Sequence, residues 1–359
     1  MKIDKFLILK KIHNTLPFRM RKLLEKPTSD ILFRRDLQIA MKKFLTKSEL
    51  ADTRLKKEIE DDIRQCRKIY NIKAEEYFLF GFYGKSSDYR SSFLPDNVKD
   101  SALIKIVGAN VFWNELKNKY NFFQLTKNWF GRDVMLVRQQ LNKDNKQEFK
   151  LFASKHPYLF IKENSGSLGQ NAGLYHVKDD KESEELYEYL SKKGGEWIVE
   201  EPIKQTQEMA IWNDSSVNTV RIPSILNNGK WTILGAFFRT GRKGSVVDNA
   251  GAGGIFACVN SDDGKLTTDG IDEVGIYYVK HPDSGMTYKG WQIPRWSELL
   301  KVAEKIHRSI PWHKYVGWDF ALTENGWVLV EGNWGQFVSQ YNDHIGLKKS
   351  FFELLEIEC

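Results

Sequence analysis

The pattern of apolar and polar positions separates a helical first hundred residues from a remainder that mixes helices with strands. Thr46 and Glu49 form a capping-box signature before the long charged segment from Leu50 to Ile72, which predicts a helix. Farther along, short apolar runs end at turns such as Asn227-Asn228-Gly229 and indicate strands. Strands are predicted at residues 158–162, 197–201, 217–226, 231–239, 255–259 and 274–280. Helices are predicted at residues 30–72, 110–130, 145–155, 181–193 and 297–309. This mixture is typical of the α+β class.

The last predicted hairpin carries three polar residues in apolar surroundings. Two apolar runs are joined by the turn Glu324-Asn325-Gly326; the first contains Asp319, and the second ends with Glu331 and Asn333. Residues two apart on a strand point to the same face, and an antiparallel return brings Asp319 close to the other two. Converging carboxylates repel each other unless a cation lies between them, and hard oxygen ligands suit Mg²⁺. The hairpin therefore predicts a magnesium site; the plainer interpretation is a hairpin with ordinary polar edges.

Length and composition narrow the class of protein. At 359 residues the chain exceeds one typical core, which predicts two or three subdomains. Its apolar runs are shorter than a membrane span, and its N-terminus lacks the features of a secretory signal. Cys66, Cys258 and Cys359 show neither a disulfide framework nor metal-ligand spacing, so a reducing cytoplasm is the expected setting. Five histidines without ligand spacing are interpreted as structural or surface residues: His176, His281, His307, His313 and His344.

Positive charge is concentrated at the start of the chain. Of a formal net charge of +7, residues 1–26 carry +6, from eight basic residues against Asp4 and Glu25. Apolar residues are interleaved with these charges, so this leader is a candidate for peripheral contact with an anionic membrane surface. A solvated leader is the more common interpretation. The rest of the sequence shows no basic stripe and no pattern of base-stacking aromatics, which argues against nucleic acid as a partner.

A strand-end lysine followed by a loop of small residues indicates a phosphate site. Lys162 ends an apolar run, and Ser-Gly-Ser-Leu-Gly follows at residues 165–169. The backbone N–H groups of such a loop are free to surround phosphate, and the lysine adds a fixed positive charge. It is not a Walker loop, because no Gly-Lys-Ser/Thr opens a helix. Taken alone, a loop of this composition is more often only a loop.

The segment Glu200-Glu201-Pro202-Ile203 follows another apolar strand. A strand end with exposed backbone groups beside apolar side chains is suited to hold a flat heterocycle, and the carboxylate of Glu208 is placed to accept hydrogen bonds from ribose hydroxyls. An ordinary surface strand end is the alternative.

Two arginines and a glycine-rich loop indicate an anionic substrate. Arg221 lies inside one predicted strand and Arg239 ends the next, and an arginine in such a position needs an anion or carboxylate partner. The loop that follows contains two polar residues and two glycines of interest, Asp248, Asn249, Gly253 and Gly254. A structural salt bridge is the alternative for either arginine alone.

The order of these motifs resembles the ATP-grasp superfamily, and most of all its sugar-transfer-associated branch linked to bacterial surface polysaccharide biosynthesis. The resemblance runs from about residue 110 to residue 350 and rests on the ordered set, from the lysine strand to Trp-Asp-Phe and Glu-Gly-Asn in the hairpin. It implies an ATP-grasp fold, in which two α+β subdomains grip ATP, with a helical N-terminal extension. The implied divisions are a helical region with the basic leader (1–100), an N-terminal and lysine-loop subdomain (101–200) and a C-terminal subdomain with the metal hairpin (201–359).

The resemblance also implies ATP and Mg²⁺ as cofactors and a role for each motif. The nucleotide would be bound by Lys119, Lys162, Ser165, Gly166, Ser167 and Gly169 at the phosphates, by Glu200, Glu201, Pro202 and Ile203 at the adenine, and by Glu208 at the ribose. The substrate would be bound by Arg221, Arg239, Asp248, Asn249, Gly253 and Gly254, and Mg²⁺ by Asp319, Glu331 and Asn333. The expected catalytic residues are Arg221, Arg239 and Lys162.

The implied activity is that of a cytoplasmic, ADP- and phosphate-forming carboxylate–amine ligase, with peripheral membrane contact through the leader as a further expectation. A carboxylate attacks the γ-phosphate, and an amine then displaces phosphate from the acyl phosphate. The expected partners are a carboxylate-bearing sugar or amino acid and an amine, for instance in amide formation on a uronic acid. Two alternatives stay open: a nucleotide-binding protein that regulates or scaffolds a polysaccharide assembly, and an ATP-grasp kinase.

Overall fold

The structure, a computed structural model, describes residues 32–138, 143–165, 171–248, 253–335 and 337–358. The chain divides into two compact units, with the boundary between Lys85 and Ser86. The three-part division expected from the sequence stays a prediction, and the basic leader of residues 1–26 lies outside the described residues. Within the described ranges, no helix is both long and apolar enough to cross a bilayer.

The described part of the first unit is helical. Its helices span 32–44, Lys47–Ala51, Thr53–Tyr70 and Ala74–Leu79. The capping box at Thr46 and Glu49 is present, but the helix that it opens ends at Ala51. Asp52 leaves the helical conformation, and its side chain accepts hydrogen bonds from the N–H groups of Arg54 and Leu55, each at 3.0 Å. A second helix therefore begins where one continuous helix was expected.

The second unit contains two antiparallel sheets. The smaller has the strand order β1-β4-β2-β3, formed by β1 (Val134–Arg138), β2 (Tyr158–Glu163), β3 (Gly173–His176) and β4 (Glu196–Glu200). Helices Lys143–Lys155 and Asp180–Lys193 bury one face of it, against residues such as Leu159, Ile161 and Val199. Because side chains alternate along a strand, Phe160, Lys162 and Glu200 share the opposite face.

The larger sheet has eight strands. Seven follow the order β10-β9-β8-β7-β5-β11-β12, and β6 pairs with β5. Their bounds are β5 (Thr219–Asn227), β6 (Lys230–Ile233), β7 (Phe237–Thr240), β8 (Ile255–Cys258), β9 (Gly270–Ile271), β10 (Tyr277–Tyr278), β11 (Tyr315–Thr323) and β12 (Gly326–Asn333). The central strand β5 therefore lies between β7 and β11, which places its residues beside both.

Helices of the second unit pack around the larger sheet. They span Ser87–Ser92, Asp96–Val107, Ala109–Val111, Lys119–Thr126, Gln207–Ala210, Trp296–Ser309, Ser339–Asn342 and Lys348–Leu355, with a π-helix at Phe112–Leu116 and a 3₁₀ turn at Lys127–Trp129. The longest of them, Trp296–Ser309, buries Leu299, Ala303 and Ile306 in the main core. These apolar positions recur every three or four residues, the spacing of one helix face.

Two predicted elements of the second unit are divided into shorter ones. The strand expected at residues 231–239 is two strands, β6 and β7, because the chain breaks at Gly235, whose φ of 73° is left-handed. The helix expected at residues 110–130 is four short helical segments, and Asn118 starts a new one by accepting a hydrogen bond from the N–H of Asn121. The expected stop at Gly131 is present, with a φ of 60°.

Candidate active site

A cavity of about 470 Å³ brings together residues of both sheets in the second unit. Its described wall includes five basic and five acidic side chains: Lys117, Lys119, Lys162, Arg221 and Arg239, with Glu163, Glu200, Asp248, Asp319 and Glu331. Aromatic residues such as Phe130, Phe160 and Trp334 complete it. Oppositely charged groups in such number, enclosed by apolar walls, are typical of a polar-ligand site.

The acidic hairpin lies at one side of the cavity. Asp319 on β11 is paired with Glu331 on β12, and a bulge follows Asp319. Asn333 lies two residues beyond Glu331, and its amide Nδ2 is 3.4 Å from Glu331 Oε1. All three line the cavity. The hairpin thus gathers the three oxygen donors for which the sequence predicts a metal role.

Two arginines bind Asp319, which is completely buried. Arg221, its partner across β5 and β11, donates from Nε to Oδ1 and from Nη2 to Oδ2, the latter at 2.6 Å. Arg239 Nη2 lies 3.0 Å from Oδ1. Burial acts to raise the pKa of Asp319, but the charges of Arg221 and Arg239 outweigh it and hold the pKa below its usual value. Asp319 is therefore ionised, and of its four lone pairs the arginines leave one, on Oδ2.

Arg239 also belongs to a second buried group. Its Nε donates to Thr219 Oγ1 at 3.0 Å, and Thr219 in turn donates to Asp248 Oδ2 at 2.5 Å. Burial raises the pKa of Asp248, although the charge of Arg239 acts against it. Thr219 was not predicted as a site residue from the sequence; its position two residues before Arg221 on the same strand places both side chains on one face and is the signal that identifies it.

Two of the three cavity lysines lie on neighbouring elements, Lys162 on β2 of the smaller sheet and Lys119 at the start of the Lys119–Thr126 helix. Lys162 Nζ is 2.7 Å from Glu200 Oε1. Arg132 donates to the other oxygen of Glu200 at 2.8 Å and 3.0 Å. Burial acts to raise the pKa of Glu200, but Arg132 and Lys162 hold it below its usual value. For Lys119, burial lowers the pKa, and the nearby carboxylate of Glu331 acts in the opposite direction.

Asn164 ties these two lysines together. Its carbonyl accepts from the N–H of Lys119 at 3.1 Å, and its side-chain Oδ1 accepts from the N–H of Tyr120 at 2.9 Å. Its Nδ2 donates to Glu196 Oε2 at 2.6 Å. This residue is buried and follows Lys162 by two positions. It fixes the end of β2 against the start of the Lys119–Thr126 helix, a contact that was not predicted from the sequence.

Not every predicted site residue lines the cavity. Of the segment Glu200–Ile203, Glu200 lines the cavity, whereas Glu201, Pro202 and Ile203 do not. Glu208 lies on the short Gln207–Ala210 helix, beside a shallow depression with Trp291. In the glycine-rich loop Gly254 lines the cavity and Gly253 does not. Ser165 is exposed. Four predicted residues, Gly166, Ser167, Gly169 and Asn249, lie outside the described residues.

A second group of ionisable residues lies next to the Glu200–Ile203 segment. Asp133, His156 and Glu201 bring ligand-type atoms within 4.8 Å of one another. Lys155 Nζ is 2.5 Å and His156 Nε2 is 2.8 Å from the same oxygen of Asp133. Lys155, and after it His156, lower the pKa of Asp133. Since two basic groups already bind this carboxylate, we interpret the group as an ion-pair cluster.

The cysteines and histidines that the structure describes do not line the cavity. Cys66 and Cys258 are buried and take part in no disulfide among the described residues, and Cys359 lies outside them. His281 and His307 contact backbone carbonyls, His281 Nε2 at 2.9 Å from Gly241 and His307 Nε2 at 2.7 Å from His313. His176 stacks on Tyr158 with ring centroids 4.4 Å apart. These contacts are structural.

Solved structures provide distant likenesses. D-alanyl-alanine synthetase A from Vibrio cholerae is 12% identical over 70% of this chain and 66% of its own, with a TM-score of 0.40. D-alanine–D-alanine ligase from Helicobacter pylori is 14% identical over 68% and 61%, also with a TM-score of 0.40. VanG D-Ala:D-Ser ligase from Enterococcus faecalis is 12% identical over 67% and 60%, with the same TM-score. The chain thus spans slightly less than two thirds of these relatives.

The family comparison is more extensive. No curated protein matches the chain. A family model described as sugar-transfer associated ATP-grasp matches residues 112–350, which is 239 of the 359 residues. The matched range contains all three lysines, both arginines and the acidic hairpin of the cavity. The chain therefore belongs to the sugar-transfer associated ATP-grasp family.

Proposed function

We propose that this protein is an ATP-dependent carboxylate–amine ligase that modifies a surface-polysaccharide precursor, for example by forming an amide on a uronic acid. The observation that carries the proposal is the cavity in which Lys119 and Lys162 face the acidic hairpin and its two arginines. Lysines suit the phosphates of ATP, and arginines suit a carboxylate, because their planar donors match its two oxygens. The family match and the cytoplasmic setting expected from the cysteines are consistent with it.

The nucleotide would lie with its phosphates between Lys162 and Lys119. Both lysines line the cavity, and Asn164 fixes one relative to the other. The adenine would lie toward Glu200–Ile203 and the ribose toward Glu208, as the family resemblance implies. Among the hydrogen bonds of the described residues, the backbone N–H of Ile203 has no acceptor, which leaves it free for a ring nitrogen. The loop at residues 165–169 would cover the phosphates.

The donor set of the hairpin fits Mg²⁺. Glu331 and Asn333 offer oxygen ligands, and Asp319 retains one lone pair on Oδ2 beside them. When bound there, Mg²⁺ supplies positive charge against the phosphates. Glu331→Gln should abolish ADP formation while the melting temperature of the metal-free protein stays unchanged. Turnover at the wild-type rate under saturating Mg²⁺ would leave the hairpin a purely structural element.

The reaction follows from the placement of charge. A carboxylate oxygen of the acid forms a bond to the γ-phosphorus as the bond to the β-phosphate oxygen breaks, and ADP leaves. An amine then attacks the acyl carbon, loses a proton, and phosphate leaves. Arg221 and Arg239 would hold the acid and the transferring group in attack geometry, while Lys162 offsets the charge of the phosphates. Asp248 and Gly254, with Asn249 and Gly253 of the same loop, would contact the substrate.

Trapping with hydroxylamine tests the reaction class. An acyl phosphate should give a hydroxamate that depends on ATP, on Mg²⁺ and on the correct acid, taken from a panel of free and nucleotide-linked uronic acids and amino acids. Arg221→Lys should lose this trapping and still bind a non-hydrolysable ATP analogue, because lysine keeps the charge near Asp319 but not the two-pronged geometry. A product phosphorylated on a hydroxyl, without hydroxamate, would make the protein a kinase. Nucleotide binding without any product would favour the regulatory alternative.

Peripheral membrane contact is a separate part of the proposal. It is supported by the net charge of +6 in residues 1–26, and each basic residue near an anionic surface contributes about 1 kcal/mol. Full-length protein should pellet with anionic vesicles at low salt, and a version that lacks these residues should not. Equal pelleting of both would leave the leader a solvated segment.

A further inference from the structure

A buried lysine precedes the region that the family model matches. Lys99 lies on the helix Asp96–Val107, and its side chain is only 2% exposed. The carboxylates of Asp96 and Asp100 each lie 3.4 Å from its Nζ. Burying an ammonium group is costly unless it is paired and hydrogen-bonded. The buried ammonium group of Lys99 therefore needs further hydrogen-bond acceptors in addition to these two carboxylates.

The ammonium group of Lys99 binds the turn that follows the acidic hairpin. Its Nζ donates to the carbonyl of Trp334 at 2.6 Å and to the carbonyl of Gly335 at 2.8 Å. The hydroxyl of Tyr315 donates to the same Gly335 carbonyl at 3.0 Å. Two successive carbonyls, directly after Asn333, are thus held by one charged side chain from a distant part of the sequence. Hydrogen bonds from a charged donor are the stronger class.

This turn lies against the side chains that it would have to place. Arg221 Nη1 donates to Asn333 Oδ1 at 3.0 Å. A Cβ atom on Gly335 would come within 2.5 Å of that oxygen and closer still to Arg221 Nη1. Trp334 stacks on Phe112 with ring centroids 4.2 Å apart. A shift of the turn would therefore displace Asn333 and Arg221 directly.

We propose that Lys99 is a positioning residue: it holds the Trp334–Gly335 turn so that Asn333 presents its amide oxygen to the metal–nucleotide complex. The proposal rests on the proposed function, since it gives Asn333 the role of a metal ligand. Lys99 does not line the cavity and would touch neither nucleotide nor metal. Its loss should therefore leave the affinity for metal-free nucleotide unchanged and reduce the additional affinity that Mg²⁺ provides.

Calorimetry with a non-hydrolysable ATP analogue, with and without Mg²⁺, tests this. In the wild type the analogue should bind more tightly with Mg²⁺. Lys99→Met should reduce that gain about tenfold, which corresponds to roughly 1.4 kcal/mol and is the scale of a charge-assisted hydrogen bond. Lys105→Met is the matched control, because Lys105 is exposed on the same helix. It should keep the full gain.

Further variants guard against loss of folding. Lys99→Met leaves the carboxylate of Asp96 buried without its lysine, so the double variant with Asp96→Asn restores the original net charge of the group. Tyr315→Phe removes only the second hydrogen bond to the Gly335 carbonyl. It should also reduce the gain in affinity from Mg²⁺, but by a smaller factor than Lys99→Met does. If a folded Lys99 variant keeps the full gain in affinity from Mg²⁺, the proposal is overturned. If neither Lys99→Met nor the double variant folds, a full gain in Tyr315→Phe overturns it. Absence of analogue binding in the wild type would instead refute the proposed function.

Discussion

At the scale of single residues, the charges of the cavity are paired over long distances in the sequence. Asp319 and Arg221 are 98 positions apart, and Glu200 and Arg132 are 68 apart. Spacing within one strand was sufficient to bring Glu331 and Asn333 together. The partners of Asp319 and Glu200 depend on the order of strands in two sheets, which residue types alone do not specify. For this reason Arg132, Thr219 and Asn164 were absent from the sequence analysis.

The role of Lys162 gives the first prediction. Lys162→Met should weaken binding of a non-hydrolysable ATP analogue by roughly tenfold to a hundredfold, because a charge-assisted bond to phosphate contributes about 1.5–3 kcal/mol. Folding should be retained, since Arg132 still neutralises the buried Glu200. Calorimetry measures the affinity. Lys178→Met, at an exposed lysine after β3, is the control. Equal affinities of the two variants would contradict a phosphate role for Lys162.

At the scale of elements, the sequence predicted segments more reliably than their ends. Most helices and strands lie where apolar periodicity indicated them, and the α+β class is confirmed. Both errors in helices occur where one polar side chain competes with the continuing helix, as Asp52 and Asn118 do by capping a new one. The strand expected at residues 274–280 is reduced to Tyr277–Tyr278, because Asp272 accepts from the N–H groups of Val274 and Ile276 and forms a turn.

The segment between the Lys127–Trp129 turn and β1 gives the second prediction. Gly131 and Gly195 both have left-handed φ values, 60° and 79°. A Cβ at Gly131 would lie 2.6 Å from Val328 Cγ1, whereas one at Gly195 would meet nothing within 4 Å. Gly195→Ala should therefore cost about 1–2 kcal/mol from backbone strain alone, and Gly131→Ala about 1–3 kcal/mol more from overpacking.

Urea unfolding of the two glycine variants measures this difference. The comparison isolates the steric contribution, because the backbone conformation is left-handed at both positions. Equal losses in the free energy of unfolding would show that Val328 moves away without cost, and that contact with β12 does not constrain the segment before β1.

At the scale of the whole molecule, the ATP-grasp family and its sugar-transfer-associated branch, predicted from the order of motifs, are confirmed by the match over residues 112–350. The order of motifs was sufficient to identify the family, because each motif contributes a different set of residue types at its place in the order. The helices described at residues 32–79 were predicted from periodicity, although no family motif covers them. The identities of the proposed acid and amine are not specified by any motif, since they would depend on the detailed shape of the cavity.

Two buried groups have opposite effects on stability at acid pH. Burial lowers the pKa of His307 to about 4 and raises the pKa of Asp343 to about 6. Between pH 6.5 and 4 the unfolded chain binds a proton at His307 and the folded chain does not, so this group lowers the stability as the pH falls. Between pH 6 and 3.8 the folded chain binds one at Asp343 and the unfolded chain does not, so stability rises as the pH falls. Each slope is about 1.4 kcal/mol per pH unit.

Removal of one group should reveal the other. From about pH 6 to about pH 5, the free energy of unfolding of Asp343→Asn should fall by roughly 1 kcal/mol more than that of the wild type. His307→Gln should show the opposite deviation, because it removes the group that destabilises the fold in acid. Urea titrations at the two pH values measure both. Parallel behaviour of all three proteins would contradict the pKa shifts of these groups.

The balance of five basic and five acidic side chains in the described cavity wall has a consequence for how a ligand is attracted to it. Opposite charges in equal number produce a weak field at a distance, so long-range steering of a polyanion into this cavity is weak and ionic strength has little effect on the association rate. Recognition then depends on contact, where each charge of the ligand meets one group of the opposite sign. A site of this kind selects by the pattern of charges on the ligand and is little influenced by their total.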